Sequence, residues 1–157
     1  MRKTCLAMMA LAGLGGPALA AEPTGDWMVK DKTAVVRVAP CGQAVCGHII
    51  WTKMKAGTDT NNPDPAKRSR PIIGMPIFSM KPTAANRWEG EIYNAEDGKT
   101  YSGNLSVVSN DVLSVGGCVL GFLCLSQDWT RAKCDQPAGG GAGRAAAMPT
   151  SCREAAP

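Results

Sequence analysis

The stretch Arg87-Trp88-Glu89-Gly90-Glu91-Ile92-Tyr93-Asn94-Ala95-Glu96-Asp97-Gly98-Lys99-Thr100-Tyr101 reads as one strand, a turn and the start of a second strand. Trp88, Gly90 and Ile92 fall on one face and Glu89, Glu91 and Tyr93 on the other, which is the period of two of an extended chain. Asn94, Asp97 and Gly98 supply the turn, because Asn and Asp side chains bond to nearby backbone and Gly accepts positive φ. The expected structure is an antiparallel hairpin with strands over Arg87–Tyr93 and Thr100–Val108.

The same punctuation runs outward in both directions. Short segments rich in Val, Ile, Trp and Tyr, separated by Gly, Pro, Asn and Asp, predict strands near Asp26–Val29, Ala34–Ala39, Gly47–Thr52, Met75–Met80, Val112–Gly117 and Leu125–Arg131. No window carries a sustained helical stripe. The chain is therefore all-β, and about eight strands suit a small antiparallel barrel; a β-sandwich is the alternative, since strand count alone does not decide closure.

The ends differ in character from this core. Met1-Arg2-Lys3-Thr4 is positive, Cys5 to Leu14 is apolar and Pro17-Ala18-Leu19-Ala20 ends in a small-x-small pattern, so residues 1–20 read as a signal peptide cut near Ala20. The apolar run is too short to span a bilayer. The exported chain, periplasmic or secreted, then comprises a barrel domain over residues 21–133 and a Gly/Ala/Pro-rich tail over 134–157 that is expected to be flexible. Losing Arg2 and Lys3 from the 17 Lys and Arg leaves 15 against 13 Asp and Glu, a balance that does not point to nucleic acid.

Six of the seven cysteines follow the cleavage point: Cys41, Cys46, Cys118, Cys124, Cys134 and Cys152. An even number in an exported chain reads as disulfides. Six cysteines allow about fifteen connectivities, of which proximity favours Cys41–Cys46, Cys118–Cys124 and Cys134–Cys152. Cys41, Cys46 and His48 suggest a metal site instead, but a zinc site ordinarily needs a second ligand pair and His48 is the sole histidine, so no metal or other cofactor is expected.

Several short motifs, in order, carry a resemblance: Gly25-Asp26-Trp27, Cys41-Gly42 with Cys46-Gly47, Asn62-Pro63 with Arg68-Ser69-Arg70-Pro71 and Gly74, Trp88-Glu89-Gly90 with Ile92-Tyr93, Asp97-Gly98-Lys99-Thr100-Tyr101, Gly117-Cys118 and Trp129-Thr130-Arg131. The chain resembles the bacterial domain-of-unknown-function 2147 family. That resemblance implies a small exported protein with a lipocalin-like barrel and no established activity. Gly25-Asp26-Trp27 resembles the glycine-x-tryptophan start of such barrels, which implies that Arg131 crosses the closed end and stacks over Trp27.

No catalytic constellation stands out. Glu89 and Glu91 lie about 7 Å apart by strand geometry, but alternating charge is ordinary on the outer face of an antiparallel strand. His48 has no evident partner, and no G-x-S-x-G occurs. Attention falls on the longest connection, Lys53 to Pro71, whose prolines stiffen it. Arg70 is expected to pair internally and Arg68 to be free for an acidic head group, with Trp51, Trp88 and Tyr93 as further ligand-binding candidates. The expected function is binding, without catalysis, of a small apolar or amphipathic molecule in the barrel beneath this loop, which requires an enclosed apolar cavity of about 300 Å³ or more. A filled barrel, or a cavity opening elsewhere, favours a structural or interaction protein of the cell envelope.

Overall fold

The computed structural model describes residues 22–53, 57–119, 122–135 and 151–155. Residues 1–21, which contain the expected signal peptide, and most of the tail lie outside the described residues. Eight strands form a meander: β1 (Gly25–Met28), β2 (Ala34–Cys41), β3 (Ala44–Thr52), β4 (Pro76–Ala84), β5 (Arg87–Asn94), β6 (Lys99–Ser109), β7 (Val112–Val119) and β8 (Leu123–Cys134). Each pairs with the next, and β1 also pairs with β8, which closes the sheet into an antiparallel barrel and rules out the sandwich. Among the described residues no helix is long and apolar enough to cross a membrane.

Alternation builds the interior. Trp27, Val36, Val38, Phe78, Met80, Leu105, Leu113 and Trp129 are among the buried residues of one cluster inside the barrel. A satellite cluster of Met28, Val35, Ile50 and Ala132 lies on the opposite face, with Trp51, Cys134 and Cys152 packed against it. A bulge decides which face Trp51 takes. Val36 pairs with Ile49 while Val35 pairs with Trp51, so Ile50 is an extra residue that reverses the phase of β3. Trp51 consequently turns outward and Thr52 inward.

The tail expectation needs correction at one point. Cys152–Glu154 forms a ninth strand, β9, that pairs with Ala132–Cys134 of β8. The Cys134–Cys152 disulfide holds this three-residue strand in register. The other disulfides, Cys41–Cys46 and Cys118–Cys124, clamp the β2–β3 and β7–β8 turns.

One end of the barrel is shut. The Arg131 guanidinium lies 3.8 Å above the Trp27 ring, donates from Nη1 to the Thr24 carbonyl at 2.7 Å and from Nη2 to the Asn110 carbonyl at 2.7 Å. Trp27 itself is fully buried and donates its indole N–H to the Pro23 carbonyl at 2.8 Å. Gly25 makes room for this cap: its φ is 129°, and a Cβ there would fall 2.1 Å from Arg131 Nη1.

Candidate functional site

The opposite end is hollow. Because β1 runs away from the closed end, the β1–β2, β3–β4, β5–β6 and β7–β8 connections all gather at the other rim, and a cavity of about 690 Å³ opens among them. Its wall is largely apolar: Val29, Val36, Ile49, Ile77, Ile92, Val115 and Trp129. Thr33, Thr52, Asn94, Tyr101, Ser126 and Gln127 contribute polar atoms, and Asp31 and Glu96 contribute carboxylates. No Lys, Arg or His among the described residues lines it. Leu125 also lines the cavity while being 76% exposed, and with Phe122, 79% exposed, and Leu123 it makes an apolar lip on the β7–β8 hairpin.

The long connection stands beside this opening and not over it. Thr52 and Ile72 at its two roots line the cavity, but no described residue from 57 to 71 does. Past Ile49, which still donates to the Met75 carbonyl and accepts from Gly74, β3 has no partner in β4, and the connection lies between β3 and the β5–β6 hairpin. Asp59 is its anchor. This carboxylate is fully buried and accepts from Tyr93 Oη at 2.6 Å, Asn62 Nδ2 at 2.7 Å and Arg70 Nε at 2.8 Å. Arg70 also lies over the Tyr93 ring, 5.3 Å from its centroid. Asn61 reaches the Glu96 carbonyl at 2.8 Å, and Gly98 permits that approach, since a Cβ there would meet the Asn61 carbonyl oxygen at 1.9 Å.

Burial by itself pushes the Asp59 carboxyl up, yet the hydrogen bonds from Tyr93, Asn62 and Arg70 outweigh it and hold the group below the usual carboxylate range. Burial and the neighbouring Asp59 carboxylate push the Tyr93 phenol up. These groups brace the wall; three donors occupy most of the acceptor capacity of the carboxylate and it is fully buried, so it presents little to a ligand.

The candidates from sequence therefore separate. Tyr93 lines the cavity, although its hydroxyl serves Asp59. Arg70 pairs inside the protein, and Arg68 donates to the Asn62 carbonyl at 2.8 Å in its own loop. Neither guanidinium lines the cavity, which removes the acidic-head-group expectation. Trp51 is on the outside of the barrel because of the Ile50 bulge, and Trp88, near the start of β5, is buried toward the closed end without lining the cavity. Glu89 and Glu91 face outward, Glu89 accepting from Arg87 Nε at 2.8 Å. Sequence reading missed Asp59, whose burial depends on partners up to 34 residues away. It also passed over Trp129 and Gln127 as wall residues, which strand alternation on β8 would have indicated.

Barrel, capped floor and open apolar cavity define a small lipocalin-like protein. Residues 25–131, well over half of the chain, match the bacterial family described as "Uncharacterized protein conserved in bacteria (DUF2147)", and the chain belongs to that family. Among solved structures it is similar to HP1028 of Helicobacter pylori, described as belonging to the lipocalin family, with 23% identity and a TM-score of 0.66 over 71% of this chain and 83% of that one. That likeness concerns the fold. No curated protein matches the sequence.

Proposed function

We propose that the protein is an exported binding protein that holds a small neutral or cationic amphipathic molecule in the barrel, apolar portion inward. The cavity does not open beneath the 53–71 connection as expected, so the loop-covered site is given up; what supports binding over a purely structural role is the cavity itself, about 690 Å³ with a mainly aliphatic wall, within the size range of small-molecule sites. The charge at its rim sets the head group. Asp31 and Glu96 are the ionisable acids in a lining that has no cation among the described residues, so a cationic head is drawn in and an anionic one repelled. The apolar lip of Phe122, Leu123 and Leu125 gives an alkyl chain a continuous path to the interior. Three disulfides fit an oxidising compartment, consistent with a periplasmic or secreted location.

Fluorescence titration with N-phenyl-1-naphthylamine, a neutral apolar probe, followed by displacement with dodecyltrimethylammonium, 1-dodecanol and dodecanoate below their micellar concentrations, tests this. The expected outcome is saturable binding at one site, with the ammonium displacing the probe about tenfold better than the carboxylate at low salt. Absence of saturable probe binding would sink the proposal. Equal or better displacement by dodecanoate would overturn the head-group assignment alone.

A further inference from the structure

We infer that the tip of the β7–β8 hairpin docks on a lipid bilayer at interfacial depth and sets the cavity mouth against the membrane, where the amphipathic ligand enters and leaves. The docking goes beyond the binding reading above and rests on it only for that exchange. Four of the five exposed large apolar side chains among the described residues lie on this tip: Val119, Phe122, Leu123 and Leu125, between 43% and 79% exposed. The fifth, Val108, is at the opposite end of the barrel. Apolar groups clustered in this way mark a contact surface, whereas scattered ones are ordinary. The Cys118–Cys124 disulfide ties the two strands together directly behind the tip.

The order of residues along β8 fits a shallow depth. Leu123 and Leu125 are followed by Ser126, Gln127 and Asp128, all exposed, so the strand turns from apolar to polar as it leaves the tip. By strand rise the band from Leu123 to Leu125 is about 7 Å tall, within the roughly 5–10 Å that interfacial segments enter the headgroup and acyl boundary. The backbone opposes deeper entry. Among the described residues β8 pairs with β7 along Leu123–Thr130 but with β1 only at Thr130 and Arg131, so one edge of the tip has to keep its polar groups in contact with water. Val119 pairs with Leu123 and Gly117 with Leu125, which puts Val119, Leu123 and Leu125 on one face, and Leu125 lines the cavity. A protein partner seated on that face would block the mouth, whereas a lipid surface brings acyl chains to it. Size also disfavours a second copy of the chain: four side chains expose only a few hundred Å², less than the roughly 800 Å² per partner of a stable interface.

Flotation of the full mature protein with dioleoylphosphatidylcholine vesicles tests the docking. Binding is expected in low and in high salt alike, because apolar contact is not screened, and Leu123→Asp is expected to lower vesicle affinity at least about tenfold, the effect of one buried leucine. Depth gives a second readout. In Phe122→Trp the emission added over wild type should shift to the blue on vesicles and be quenched more by a nitroxide high on the acyl chain than by one near the chain end. No flotation, flotation lost in high salt, or stronger quenching by the deep nitroxide would overturn docking at interfacial depth. A dimer in sedimentation that Leu123→Asp dissociates would overturn it too, since a second copy would then cover the tip. N-phenyl-1-naphthylamine titrated without vesicles keeps the two readings apart: saturable probe binding with no flotation leaves the binding reading intact and removes the docking, while flotation without probe binding keeps the docking and removes the ligand exchange.

Discussion

Replacing Asp59 by alanine should detach the long connection from the barrel wall. The carboxylate is fully buried and takes three hydrogen bonds, from Tyr93, Asn62 and Arg70. Hydrogen bonds to a charged acceptor contribute roughly 1.5–3 kcal/mol each, but the three share one group and do not add. Breaking a buried ion pair costs about 3–5 kcal/mol. Arg70 remains 32% exposed and can recover water, and the Tyr93 hydroxyl still reaches Asn62 at 3.0 Å, so the lower end applies: about 3 kcal/mol, or a fall in Tm of roughly 12 °C for a domain of this size. Thermal unfolding followed by far-ultraviolet circular dichroism measures it. Asp59→Ala combined with Arg70→Leu should recover part of the loss, since the orphaned cation is gone. A fall below about 1 kcal/mol in the single variant would refute the view that this carboxylate fixes the wall.

Because the Asp59 carboxyl is held below its unfolded value, its contribution is complete above about pH 4 and is lost as pH falls through the folded value, so the wild type should lose stability in acid more steeply than Asp59→Asn. The raised Tyr93 phenol acts in the opposite sense, and Tyr93→Phe should flatten the loss of stability above about pH 10. Arg131→Ala removes the cation above Trp27 and the donors to Thr24 and Asn110, and should cost about 2 kcal/mol in denaturant unfolding; an unchanged midpoint would contradict the cap. Cys134→Ser with Cys152→Ser should release β9, lower stability by at most about 3 kcal/mol and shift Trp51 emission to the red as the outer cluster loses cover, whereas an unaltered Trp51 spectrum would show that β9 does not shield it.

The eight barrel strands were legible because alternation and turn residues agree locally, as in Arg87–Asn94 and Lys99–Ser109, where each position has a single compatible face. Two disulfide pairs, Cys41–Cys46 and Cys118–Cys124, were legible for the related reason that neighbouring cysteines sit across tight turns, whereas Cys134 and Cys152 are separated by 18 positions. What escaped depended on contacts distant in sequence. The three residues of β9 carry no pattern and gain their place through the Cys134–Cys152 bond and the free edge of β8. Trp51 continues the alternation of β3 on paper, and only the pairing of Val35 and Val36 reveals that Ile50 reverses it. Arg70 was expected to pair inside the protein, but its partner was not legible, because Asp59 is a single carboxylate in a polar stretch and nothing local announces that Tyr93 and Arg70 converge on it; Arg68 looked free because the group it meets, the Asn62 carbonyl, is backbone of its own loop.

Filling the cavity without disturbing the fold tests the central claim most directly, and Gly117 offers the position. It lines the cavity, and a Cβ there would meet Ile92 and Tyr101 at 3.6 and 3.7 Å, ordinary contact distances. Gly117→Phe should therefore keep or raise Tm, as a strand glycine gives way to a residue that favours strands, while its ring occupies the cavity. Titrated with N-phenyl-1-naphthylamine beside the wild type, a Gly117→Phe protein of unimpaired Tm is predicted to lose at least about tenfold in affinity for the probe. Undiminished affinity in that folded variant would mean that the probe binds elsewhere, and would contradict the assignment of the barrel interior as the binding site.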